Sequence, residues 1–160
     1  HPAVATTRPA ITWREVGKGR ALHLVGPVSR SYQLHGQLWL RGLLDNLLAA
    51  AVPRPFLRVA APPSVRVTAR RKGSQIQIHL VHWQLEPRME GLAFAETEWP
   101  AAGVRVAVRG PRPARVVQVG DRARERPFRY ENGYARVAVA PFKTHAAVVL
   151  DTEPRPDETK

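Results

Sequence analysis

The sequence predicts a mainly β chain, an antiparallel β-sandwich preceded by a β-hairpin and one helix. Three observations carry this reading. Beyond Pro53, apolar residues alternate with polar ones in short runs such as Val65, Val67, Ala69 and Ile76, Ile78, Leu80. Turn signals such as Gly73-Ser74, Gly110-Pro111 and Asn132-Gly133 separate those runs every 8–12 residues or so. Before Pro53, a helical period occurs once, in Leu40, Leu43, Leu44, Leu47, Leu48 and Ala51.

The elements follow in order. Ala10 to Val16 reads as a strand, Gly17-Lys18-Gly19 as a tight turn and Arg20 to Val25 as the returning strand. Glycines that bracket the lysine allow the positive φ such a reversal needs. Gly26-Pro27 ends the hairpin, and the helix runs from Gly36 to Val52, stopped by Pro53. One hairpin and one helix cannot enclose a core, so residues 1–55 read as the end of a larger α/β domain.

Pro53, Pro55, Pro62 and Pro63 make a stiff, extended connection. Strands are then expected near 65–70, 75–80, 104–108, 115–119, 127–130, 134–139 and 146–150, with 93–99 as a short edge segment and 85–91 as a loop. They form a sandwich over residues 56–151. The remainder, 152–160, is rich in Pro and charge and reads as a flexible tail.

Composition narrows the function. The 160 residues hold 25 basic against 13 acidic side chains, a formal charge of +12, and 21 of the basic residues are arginine. A nucleic-acid groove would gather those arginines in one element and interleave aromatic rings. Here they spread from Arg8 to Arg155, the densest cluster being Arg122, Arg124 and Arg126 with Glu125 inside it. They read as solvated surface, and nucleic acid is disfavoured as a partner. There is no cysteine, which removes disulfides, thiolate metal sites and cysteine nucleophiles but leaves the compartment open. The longest apolar stretch, Leu38 to Val52, contains Arg41, Asp45 and Asn46, so no membrane span is expected. The chain begins at His1 without a signal-peptide pattern, which suggests a processed or partial chain.

The order of pieces then resembles a known family. Val16-Gly-Lys-Gly-Arg-Ala-Leu-His-Leu-Val-Gly26, with Ser29-Arg-Ser-Tyr32 and the leucine-rich helix, resembles the closing segment of a β-galactosidase-type trimerisation domain. That domain has a class I glutamine amidotransferase-like, flavodoxin-like fold. Ala61-Pro-Pro-Ser-Val-Arg-Val67, Ile76-Gln-Ile-His-Leu-Val-His-Trp83, Asn132-Gly-Tyr134 to Pro141 and His145 to Leu150 are similar to the β-sandwich that ends such glycoside-hydrolase-like chains. The resemblance covers roughly residues 10–151. It implies that the catalytic carboxylates lie on a barrel outside this chain and that the amidotransferase-like part is structural. The family commonly has Asn where His82 stands, and no catalytic residue of the family carries over to any position here.

Other constellations read as structural. Glu96 and Glu98 are two apart on an edge segment and lack the cleft that paired carboxylates need. His79 and His82 point to opposite faces of one strand, and His23 and His35 share no metal-ligand spacing. Ser29, Ser31 and His35 lack a nucleophile elbow, and Gly17-Lys18-Gly19 is too short for a phosphate cradle. No catalytic residue, metal site or cofactor is expected.

Two function classes remain. The first is a non-catalytic structural and assembly module of a carbohydrate-active hydrolase, docking on the rest of the parent chain or on like subunits through Leu40, Leu44, Leu47 and Leu48. The second is a binding module, for carbohydrate through Trp83 and Trp99 or for a polyanion through arginines.

Overall fold

The computed structural model describes residues 8–84, 86–87, 93–94 and 98–153. The chain divides into two compact units, His1–Arg54 and Pro55–Lys160. Glu96, Arg155 and the tail beyond Glu153 lie outside the described residues, as does most of the segment 85–97.

In the first unit, strands β1 (Ile11–Val16) and β2 (Gly19–Leu24) form an antiparallel hairpin with Val16 opposite Gly19. Gly17 takes φ 57°, the left-handed conformation its turn position requires. Arg20 lies over the Trp13 ring at 5.4 Å and donates to the Ala50 carbonyl at 3.2 Å. Two helices follow. Helix α1 (Val28–His35) ends at Gly36, left-handed at φ 59°, whose N–H bonds the Tyr32 carbonyl. Helix α2 (Leu38–Ala51) ends with the Val52 N–H on the Leu48 carbonyl. Gly36 therefore closes one helix instead of opening the next, which is why the sequence suggests one helix where two stand. No helix among the described residues is long and apolar enough to cross a membrane.

The second unit is a two-layer antiparallel sandwich. The five-stranded layer contains β4 (Val65–Lys72), β5 (Gln75–His82), β9 (Arg115–Val119), β10 (Ala123–Glu125) and β13 (His145–Asp151), in the order β10-β9-β13-β5-β4. The four-stranded layer contains β3 (Leu57–Ala60), β8 (Arg105–Arg109), β11 (Phe128–Glu131) and β12 (Tyr134–Ala138), ordered β11-β12-β8-β3. Strands β6 (Glu86–Pro87) and β7 (Ala93–Phe94) pair only with each other, so the expected edge segment near 93 joins neither layer.

Alternation sets which residues face inward. Ile76, Ile78, Leu80, Val116, Val148 and Leu150 from one layer meet Val106, Val108, Ala135 and Val137 from the other. Ile78, Leu80 and Val148 are completely buried, and burial of each contributes about 1.5–3 kcal/mol. Two tight turns hold the register. Gly73 at φ 58° joins Lys72 to Gln75, and Asn132 at φ 53° with Gly133 at φ 78° joins Glu131 to Tyr134. Both central residues of the second turn are left-handed, the geometry that suits the right-handed twist of a hairpin.

Candidate functional site

A cleft of about 770 Å³ opens at one edge of the five-stranded layer. Its floor is fixed by Gln118, which faces inward from β9 and is buried. The Gln118 side-chain amide donates to the Ala140 carbonyl at 3.0 Å, and its oxygen accepts the Ala140 N–H at 2.8 Å. One buried side chain thus substitutes for a missing ladder pair and pins the segment after β12 to β9.

The opposite wall is held by His82, Gln84 and Trp99. Gln84 accepts the Trp99 N–H at 3.2 Å through its oxygen and donates back to the Trp99 carbonyl, which fixes the amide's orientation. The buried His82 places Nδ1 3.1 Å from the Lys143 carbonyl and 2.6 Å from the Gln84 amide nitrogen. That nitrogen donates to the first or accepts from the second, not both. Phe142 meets the imidazole edge-on at 6.4 Å between centroids. The wall and floor together present Glu98, Asp121, Arg122, Arg124, Lys143 and His145 to the cleft.

The two tryptophans proposed for ligand stacking lie at this end of the sandwich. Trp99 is 54% exposed, and both its neighbours, Glu98 and Pro100, line the cleft. Trp83 is 51% exposed, bonds the Ser64 carbonyl through its N–H, and has the Arg66 guanidinium 5.2 Å from its ring centroid. Gln84 follows Trp83 directly in the chain and is bonded to Trp99, so this one amide ties the two segments together.

The leucines assigned to an assembly face are unequal. Leu40 is buried, Leu44 and Leu47 are half-buried, and Leu48 is exposed. Leu38, Trp39 and Val52 are exposed as well, along with Ile11, Trp13, Val16, Val25 and Leu34. Leu40 is the one buried residue among those described in the first unit.

Several histidines and arginines meet in ways the linear sequence conceals. His79 faces outward and His82 inward, as the alternation requires. His79 pairs with His145 across the ladder, rings stacked at 5.5 Å and Nδ1 to Nε2 at 3.3 Å. Arg122, Arg124 and Arg126 flank or occupy β10, an edge strand where a loop is expected from sequence. The outer face of the four-stranded layer collects Arg58, Arg105, Arg109, Arg129 and Arg136 from four strands. The signal that finds them is parity: each occupies the position that alternates with a core residue. Among the described residues, no three His, Asp or Glu side chains gather closely enough to hold a metal ion.

No protein-family model matches the sequence, and no curated protein matches it either. In structure, 91% of the chain is similar to alpha-L-fucosidase isoenzyme 2 from Paenibacillus thiaminolyticus, with a TM-score of 0.75 and 20% sequence identity. The chain covers 22% of that protein's length, about a fifth. At this identity the likeness shows the fold.

Proposed function

We propose that this chain is a non-catalytic accessory portion of a carbohydrate-active hydrolase, a β-sandwich that docks on a catalytic partner or on like subunits. The observation that carries the reading is the under-built first unit. Its described residues bury Leu40 and leave Leu38, Trp39, Leu48 and Val52 in water. Apolar surface left open in this way marks an interaction face. The likeness to a fifth of an alpha-L-fucosidase supports a glycosidase as the parent. The finer assignment, a β-galactosidase-type trimerisation domain ending in residues 1–55, rests on the motifs around Gly17 to Gly26 and the leucine-rich helix.

The test combines turnover with association. The purified chain is expected to hydrolyse no aryl glycoside, the α-L-fucoside included, and to bind a hydrophobic dye that Leu38→Asp with Leu48→Asp displaces. Saturable hydrolysis abolished by Glu98→Gln would overturn the non-catalytic reading.

A second reading has its own support. Trp99 beside a cleft of planar hydrogen-bonding side chains has the composition of a sugar subsite, an exposed ring next to Glu, Asp, Arg and His. Glycan affinity lost in Trp99→Ala with the fold intact favours it.

A further inference from the structure

The outer face of the four-stranded layer holds a second concavity of about 720 Å³. Its residues follow from the register. Arg129 pairs with Arg136, Arg136 with Ala107, and Ala107 with Arg58, so these four form one row across the sheet. In the adjacent row Ala138 pairs with Arg105 and Arg105 with Ala60. The floor is therefore alanine, with Pro127 at its edge, and the rim is Arg58, Arg105, Arg129 and Arg136. No acidic side chain is among the lining residues. Glu131, on the same face, reaches Arg136 only at 3.9 Å in an exposed pair, which neutralises little. The Arg58 guanidinium is held at 5.0 Å over the ring of Tyr134.

Neighbouring strands are about 4.8 Å apart, so Arg136 and Arg58, two steps across the row, are separated by roughly 10 Å at the backbone. Rigid strands thus present several bidentate forks at fixed spacing around a small apolar floor. Guanidinium forks match carboxylate and sulfate oxygens in plane and in charge. We propose that this basin binds an acidic saccharide chain, its carboxylate or sulfate groups on Arg58, Arg105, Arg129 and Arg136 and a ring face on the alanine floor.

Other polyanions fit less well. A peptide recognised by a sheet adds to an edge, where backbone groups are unpaired, whereas this basin lies on a face whose backbone groups are committed to the ladder. A nucleic acid needs rings for its bases to stack on. Phe128 and Tyr130 pack inward, and Tyr134 is buried beneath Arg58. The proposal goes beyond the accessory-module reading and does not depend on it.

The test is calorimetric titration of the whole chain at low and moderate salt. The probes are an oligo-uronate, a sulfated oligosaccharide, a neutral oligosaccharide, a single-stranded oligonucleotide and poly-glutamate. At least one acidic saccharide is expected to bind saturably, more weakly as salt rises, and the neutral one not at all. Arg105→Ala with Arg136→Ala should weaken binding about tenfold or more. Arg122→Ala with Arg124→Ala, which removes equal charge from the other cleft, should leave it within about twofold. Uronate or sulfated probe alone identifies the anionic group. The proposal is overturned if neither acidic saccharide binds, if the two double variants weaken binding equally, or if the oligonucleotide or poly-glutamate binds as tightly through the same arginines. Circular dichroism establishes that both variants keep the sandwich. A failed titration leaves the dye and association results untouched, so the two proposals fail separately.

Discussion

Arg115 and Asp151 face each other across the ends of β9 and β13, with the Arg115 Nη2 3.3 Å from the Asp151 Oδ2. Asp151 also accepts from the Ser74 hydroxyl, the Gln75 amide and the Glu153 N–H. The carboxylate therefore joins the β4–β5 turn to the last strand. Burial pushes its pKa up, but the Glu153 N–H, the Arg115 and Gln75 donors and the Arg115 charge outweigh this and hold it below the usual carboxylate range.

Such a group binds its proton less readily in the folded state than in the unfolded chain. Its contribution is present above about pH 4 and is lost as pH falls through the folded-state value. Asp151→Asn should cost about 1–3 kcal/mol near pH 7, because it leaves Arg115 with a weaker partner. It should also flatten the stability curve on the acid side. Urea midpoints between pH 3 and 7 for both proteins check this; parallel curves would refute it.

Gln118 is the second polar anchor. Gln118→Leu removes both bonds to Ala140 and leaves a backbone N–H and carbonyl without their partner. The expected loss is about 2–4 kcal/mol in chemical denaturation, with increased hydrogen exchange at the Ala140 amide. Stability unchanged within about 0.5 kcal/mol would mean that solvent replaces the amide at no cost.

In the first unit, burial separates residues that share one helix. Leu40→Ala should destabilise by about 2–4 kcal/mol, since Leu40 is buried. Leu38→Asp and Leu48→Asp should leave monomer stability nearly unchanged and reduce self-association, because both side chains are exposed. Sedimentation velocity on the three variants separates the two effects.

The tryptophans give a paired prediction. Trp83→Ala loses the Arg66 contact, about 0.5–1 kcal/mol at such exposure, and the sandwich persists. Trp99→Ala should leave stability within about 0.5 kcal/mol, since Gln84 bonds its backbone and not its ring. A glycan affinity lost in the second and kept in the first would locate the sugar at the cleft.

Much of the sandwich was legible because period-two alternation and turn chemistry are local. Asn132-Gly133 announces its hairpin, and Ile76, Ile78 and Leu80 announce their face. Strand β3 was hidden because Leu57 to Ala60 is only four residues long and stands between proline pairs, a context that suits an edge strand as well as a linker. Helix α1 was hidden because Gly36 reads equally as a start or a stop. The cleft was less legible, since Gln118 sits at a core position of β9 and its role depends on Ala140, twenty-two residues away. The arginines were hardest to place: Arg58, Arg105, Arg129 and Arg136 are scattered in the chain and adjacent only through strand pairing. Register between distant strands is a tertiary property that no local pattern encodes.

The central claim is that the sandwich is complete while residues 8–54 await a partner. Amide hydrogen exchange on the isolated chain tests it most directly. The account predicts that amides of Ile78, Leu80 and Val148 exchange only by global unfolding, whereas those of β1, β2, α1 and α2 exchange orders of magnitude faster. Equal protection of α2 and β5 in a monomer would contradict it, because the first unit would then be stable without anything covering Leu38, Trp39 and Leu48.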